Sequence, residues 1–103
     1  MGLFNGKHEN ELDVPPQAVD DAEGLEIARI WAAGGQQVVT LRAGIWDDPA
    51  SWGLMLVDLA KHIAIAYEQL GMGTQNDVLL RIKEGLDAEW SNPTDEPTGR
   101  IVE

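Results

Sequence analysis

The sequence predicts an α+β fold dominated by helices, with three helices packed on a minimal antiparallel sheet of two to three strands. Three stretches carry apolar residues at helical spacing, one stretch alternates as a strand does, and Gly or Pro residues separate them. The chain has 103 residues, the length of one domain. We therefore expect a flexible acidic arm over 1–13, one globular domain over 14–91 and an irregular tail over 92–103.

The first helix is predicted over about 21–33. Asp20 can cap its N-terminus, and Glu23 three residues later gives a capping-box-like pair. The pair Gly34-Gly35 then acts as a helix stop. Helical spacing predicts a buried stripe of Ile27, Ile30, Trp31 and Gly34.

One strand is predicted over about 36–43, because β-branched residues cluster at its centre and alternate between two faces. A single strand cannot form a sheet, so its partner must come from elsewhere. The candidates are Glu11–Val14, Arg100–Val102, or the same strand of a second copy. Only a second copy matches the strand in length, so we expect a homodimer through 36–42, with pairing to Glu11–Val14 as the alternative.

The second helix is predicted to be central. Asp48 is a suitable N-cap and Pro49 suits the first helical position, while Gly71-Met72-Gly73 ends the helix about 22 residues later. Its apolar residues recur in alternating steps of four and three, the narrow spacing of a coiled-coil-like contact. We call this stripe the seam: Trp52, Leu56, Leu59, Ile63, Ala66 and Leu70.

The third helix is predicted to begin at Thr74, which forms a capping box with Asp77, and to end at Asn92-Pro93. Its apolar face repeats at helical spacing and predicts a second buried stripe. The residues of that face are Val78, Leu79, Ile82, Leu86 and Trp90.

Three tryptophan-bearing stretches resemble a family of small bacterial proteins whose domain has no known function. The stretches are Trp31–Gly35, Trp46–Ala60 and Ala88–Thr94, and the resemblance extends over roughly Val14–Gly99. It implies no activity, substrate or catalytic residue.

Charge and composition restrict the classes of partner. The net charge of −11 repels phosphate backbones and anionic lipid, so we expect no binding to nucleic acid or membranes. The same charge also serves solubility. The chain has no cysteine and no apolar run of membrane-spanning length, and its first residues lack a signal peptide. We therefore expect a cytoplasmic protein without disulfides or thiolate metal sites.

Two groups of residues are candidates for a site. Asp58 and His62 lie four residues apart on one helix face, as a general-base pair or two metal ligands would, although a solvated polar face has the same pattern. The candidates for partner binding are Val38, Thr40 and Arg42 on the strand, and Trp46 after it. Trp46 is either an exposed anchor for a partner or, as we favour, a hydrophobic staple against the second helix.

These observations favour a non-enzymatic protein-interaction module. Neither Gly34-Gly35 nor Gly71-Met72-Gly73 matches a phosphate-binding or dinucleotide-binding loop, so no cofactor is expected. The acidic residues of the arm around His8 lack the ligand order of a calcium loop. Two alternatives stay open: a small enzyme or metal-binding protein using Asp58 and His62, and an acidic decoy for a nucleic-acid-binding protein.

Overall fold

The computed structural model describes residues 7–94, together with the backbone of 98–102. It confirms the helix-dominated α+β class, with three helices and a three-stranded sheet. In chain order the elements are α1 (Pro16–Val19), β1 (Ala28–Ala33), β2 (Gln36–Arg42), a 3₁₀ turn (Ala43–Ile45), α2 (Ala50–Gln69), α3 (Gln75–Ser91) and β3 (Thr98–Val102).

The sheet has the order β1-β2-β3. β1 and β2 form an antiparallel hairpin in which Ala33 lies opposite Gln36 and Ala28 opposite Leu41. β3 runs parallel to β2 on its other side, from Thr98 beside Val38 to Val102 beside Arg42. The sheet is therefore mixed, and β2 is its central strand.

The predicted first helix over 21–33 is wrong, since its second half forms β1. Gly34 and Gly35 have φ angles of 60° and 75°. Positive φ at both central residues is what a two-residue type I′ hairpin turn requires. The glycine pair thus reverses the chain between two strands instead of ending a helix. The first helix that does form is the single turn Pro16–Val19, with Pro16 at its first position.

Three further predictions about the sheet are corrected. The tail is not irregular throughout, because 98–102 form β3. Pairing of strand 36–42 with a second copy was predicted because the strand had no partner of matching length in its own chain. In the structure β1 and β3 pair with the two edges of β2, so no edge is left for a second copy. The alternative partner Glu11–Val14 is also wrong, because β2 pairs with β1 and β3, and Glu11–Val14 forms no strand.

The two long helices match their predictions closely. The backbone N–H of Ala50 donates to Oδ1 of Asp48 at 3.0 Å, so Asp48 caps α2 ahead of Pro49. The N–H of Asp77 donates to Oγ1 of Thr74 at 3.1 Å and caps α3. Between the helices the chain turns through Gly71, whose φ of 73° allows α2 to end.

The two helices form a hairpin that packs mainly on itself. α2 contacts α3, β2 contacts both other strands, and β3 touches the 3₁₀ turn; among the described elements no helix makes a comparable contact with the sheet. Ala64 of α2 is the one fully buried hydrophobic side chain among the described residues. The helices therefore do not lie on the sheet as the sequence predicts, and their remaining apolar surface is left uncovered.

Candidate interaction surface

The seam of α2 is exposed along its length. Leu59 and Ile63, at its centre, expose 38% and 40% of their surface. Leu56 and Leu70 expose more, and only Trp52 at the N-terminal end is half-buried. The spacing of these residues is that of a helix–helix contact. The buried residue of α2, Ala64, lies roughly 120° round the helix from the centre of the seam, so the packing of α2 on α3 leaves the seam exposed.

The apolar face of α3 is covered only near the hairpin turn. Val78, Leu79 and Ile82, in the first half of the helix, are half-buried. Leu86 is half-exposed, and Trp90 near the C-terminus is 82% exposed. The prediction that Trp90 packs in the core is wrong, because the open end of the hairpin leaves its indole in solvent. We call the large apolar side chains of α2 and α3 that are at least half-exposed the hairpin surface: Leu54, Leu56, Val57, Leu70, Leu80, Leu86 and Trp90.

Trp46 packs against the start of α2. Its ring meets that of Trp52 edge to face, with centroids 5.0 Å apart and planes at 79°. This geometry is one that aromatic quadrupoles prefer. Trp46 packs against the second helix as the predicted staple does and is half-buried, and its role as an anchor for a partner stays a prediction.

The part of the predicted arm that the structure describes is attached to β1. Both carboxylate oxygens of Glu11 accept from the guanidinium of Arg29, at 3.0 and 3.2 Å. Glu26 accepts from Nε of Arg29 at 2.8 Å. These bonds raise the pKa of Arg29, and the bond from Arg29 lowers the pKa of Glu11. Next to this cluster, the ring of His8 lies edge-on to Trp31, with centroids 5.1 Å apart.

The Asp58–His62 pair lies on α2, and both side chains are exposed. No hydrogen bond or ion pair joins either of them to another described residue. Nor do the described residues contain a group of three or more His, Asp or Glu side chains arranged to hold a metal ion. The pair therefore stands alone, and its catalytic or metal-binding role stays a prediction.

The strand candidates Val38, Thr40 and Arg42 are half-buried in the central strand. Nε of Arg42 donates to the backbone carbonyl of Glu26 at 3.2 Å. A shallow depression of about 190 Å³ lies where β1 and β2 meet. It is lined by Glu26, Ile27, Ala28, Arg29, Thr40, Leu41 and Arg42. With its arginines already engaged and its backbone paired, this face offers less to a partner than the hairpin does.

The whole chain is more open than its size requires. Its accessible surface is 8759 Å², whereas a compact monomer of this mass exposes about 5,700 Å². Its radius of gyration is 15.9 Å, against about 13 Å for a compact domain of this length. The uncovered apolar hairpin is one visible source of this excess. None of the described helices is long and apolar enough to span a membrane.

Fold and surface together define a small α+β protein that presents an uncovered apolar helical hairpin. The chain belongs to the family described as "Domain of unknown function (DUF5076)", which it matches over residues 11–94. It is also similar to a solved structure described as "a putative pyruvate dehydrogenase from the photosynthetic bacterium Rhodopseudomonas palustrus CGA009", at 30% identity and a TM-score of 0.70. That match covers 97% of this chain and 100% of the other. The chain has no significant match among curated proteins.

Proposed function

We propose that this chain is a small, non-enzymatic interaction module that binds a protein partner through the hairpin surface. One observation carries the proposal: large apolar side chains line α2 and α3 without cover from the described part of the chain. Extensive exposed apolar surface on a small protein marks interaction sites, because exposing it to water is unfavourable. Trp90 fits such a role, since tryptophan is enriched among residues that dominate binding energy.

The charges of the hairpin support an apolar rather than an electrostatic mode of binding. α2 carries two acidic side chains and one basic side chain in twenty residues. On α3, Lys83 pairs with Asp87 at 2.7 Å, and Arg81 pairs with Glu84 at 3.0 Å. Much of the net charge of −11 therefore lies outside α2. That charge supports the further proposal that the chain binds neither nucleic acid nor anionic membranes. A cytoplasmic location remains a proposal from the sequence.

The dehydrogenase named for the structural neighbour is not part of this proposal. A dinucleotide-binding loop follows a strand and opens a helix. In this chain, Gly34 and Gly35 join two strands, and Gly71–Gly73 joins two helices. The similarity supports a shared fold and family, and the family description supplies no activity.

Site-specific photo-crosslinking in the native host tests the proposal. A benzophenone amino acid replaces Trp90 in one variant and Arg81, on the charged face of α3, in a control variant. We expect discrete crosslinked species from position 90 that are absent from position 81. A crosslinked species containing either another protein or a second copy supports the module. If neither position 90 nor a second hairpin position, Leu54, crosslinks above the control, the proposal is wrong.

A further inference from the structure

We propose that the partner on the seam is a second copy of this chain, with the two α2 helices packed antiparallel across a two-fold axis. This inference rests on the proposed function and names the occupant of one part of that surface. It differs from the dimer predicted from sequence, which used the edge of β2. Here the contact is helix to helix.

The first argument is the area that remains uncovered. The chain exposes 8759 Å², which is roughly 3,000 Å² more than a compact monomer of this mass. Obligate homodimers bury about 2,000–5,000 Å² in total, or roughly half of that on each chain. The excess, which is summed over the whole chain, exceeds the area that a homodimer interface of this class buries on one chain.

The second argument is the charge along the seam. All six seam residues are apolar, and the residues immediately beside them on either side of the stripe include no Asp, Glu, Lys or Arg. The charged residues Asp58, Lys61 and Glu68 lie farther round the helix. An equally acidic copy can therefore approach α2 without a like-charge clash at the contact. The flanking residues are Gly53, Met55, Ala60, His62, Tyr67 and Gln69.

The third argument is that the seam complements itself when reversed. An axis through the level of Lys61 pairs Leu59 with Ile63 of the other copy, Leu56 with Ala66 and Trp52 with Leu70, so that the small Ala66 lies opposite a large side chain. A parallel pair would instead set Ala66 against Ala66 and Trp52 against Trp52, which leaves a gap at one end and crowding at the other. The antiparallel arrangement fills the contact evenly.

The connections of the sheet also favour the antiparallel arrangement. β2 leads into the N-terminus of α2 through the 3₁₀ turn, and β3 follows the C-terminus of α3. Both connections therefore leave from the open end of the hairpin. Reversal places the two sheets at opposite ends of an intermolecular four-helix bundle, where they do not compete for space.

Cysteine crosslinking tests the contact directly, because the native chain contains no cysteine. The double variant Leu59→Cys/Ile63→Cys is oxidised with copper phenanthroline beside a control, Ile65→Cys, which lies roughly 140° round the helix from the centre of the seam. We expect covalent dimers from the double variant and at least about tenfold less from the control. Equal yields, or none from the double variant, would overturn the proposal.

A second pair of variants guards against misfolding. Ile63→Glu places a charge in the proposed contact and should weaken dimerisation by at least about a hundredfold, while Ile65→Glu, the same substitution away from the seam, should leave it unchanged. Circular dichroism establishes that both variants remain helical. If the protein is monomeric and yet position 90 crosslinks a different protein, the second copy is wrong and the interaction module stands. If neither contact is found, both proposals fail.

Discussion

The rings of Trp46 and Trp52 meet edge to face at 5.0 Å and fix the angle at which the chain enters α2. Replacing Trp46 with Leu keeps an apolar side chain but removes the aromatic pair. We expect a coupling energy of about 0.5–1.5 kcal/mol between the two positions. A double-mutant cycle with Trp52→Leu, followed by urea unfolding, measures it. Strictly additive losses would show that the rings do not act as a pair.

The Gly34 turn gives a second prediction. Its φ of 60° lies in the left-handed region, and an added Cβ would meet no atom within 4 Å. The cost of substitution is therefore a backbone cost alone. We expect Gly34→Val to destabilise the fold by about 1–2 kcal/mol, and Gly34→Asn to cost clearly less because Asn tolerates this conformation. Equal losses measured by thermal unfolding would contradict the type I′ turn.

The Glu11–Arg29 ion pair predicts a pH dependence of stability. Hydrogen bonding from Arg29 lowers the pKa of Glu11 below its ordinary value of 4.5. The pair therefore contributes stability above that ordinary value and loses it as the pH falls through the lowered pKa. We expect Glu11→Gln to be less stable than the native chain at neutral pH, and the difference to vanish in acid. Urea titrations across this range measure it, with Glu9→Gln as the control that should show no such convergence.

Ala64 marks the closest packing of the helical hairpin, since it is fully buried. Ala64→Leu should push α2 and α3 apart and destabilise the fold by about 1–3 kcal/mol. The control Lys61→Leu adds a leucine at an exposed position of the same helix and should change stability little. Chemical unfolding of both variants makes the comparison. Equal effects would mean that Ala64 does not lie in the helix–helix contact.

The elements that depend on local signals were predictable from the sequence. Asp48 and Thr74 cap their helices with their own side chains, so each boundary is encoded within a few residues. The pair Gly34-Gly35 is also a local signal, but it suits both a helix stop and a hairpin turn. The capping-box-like pair Asp20 and Glu23 predicted a helix before the glycines, and therefore favoured a helix stop. Long-range pairing of β1 with β2 decided the outcome, because strand pairing depends on partners as well as on propensity.

The features that depend on distant residues were not predictable in this way. Arg29 meets Glu11 across eighteen positions of the chain, and nothing local to either residue specifies that contact. β3 needs the free edge of β2 to become a strand. The periodicity of α2 predicted a central helix with a buried seam, but periodicity shows only that a face is apolar. It does not show whether the covering surface belongs to the same chain.

The covering of that seam by a second copy is the central claim, and the solution mass of the native chain tests it most directly. Sedimentation equilibrium over a wide concentration range measures that mass without a label or a variant. We expect twice the chain mass of 11.2 kDa at micromolar concentration, falling towards the monomer on dilution. A mass of 11.2 kDa at every concentration, up to the highest at which the protein stays in solution, would contradict the account.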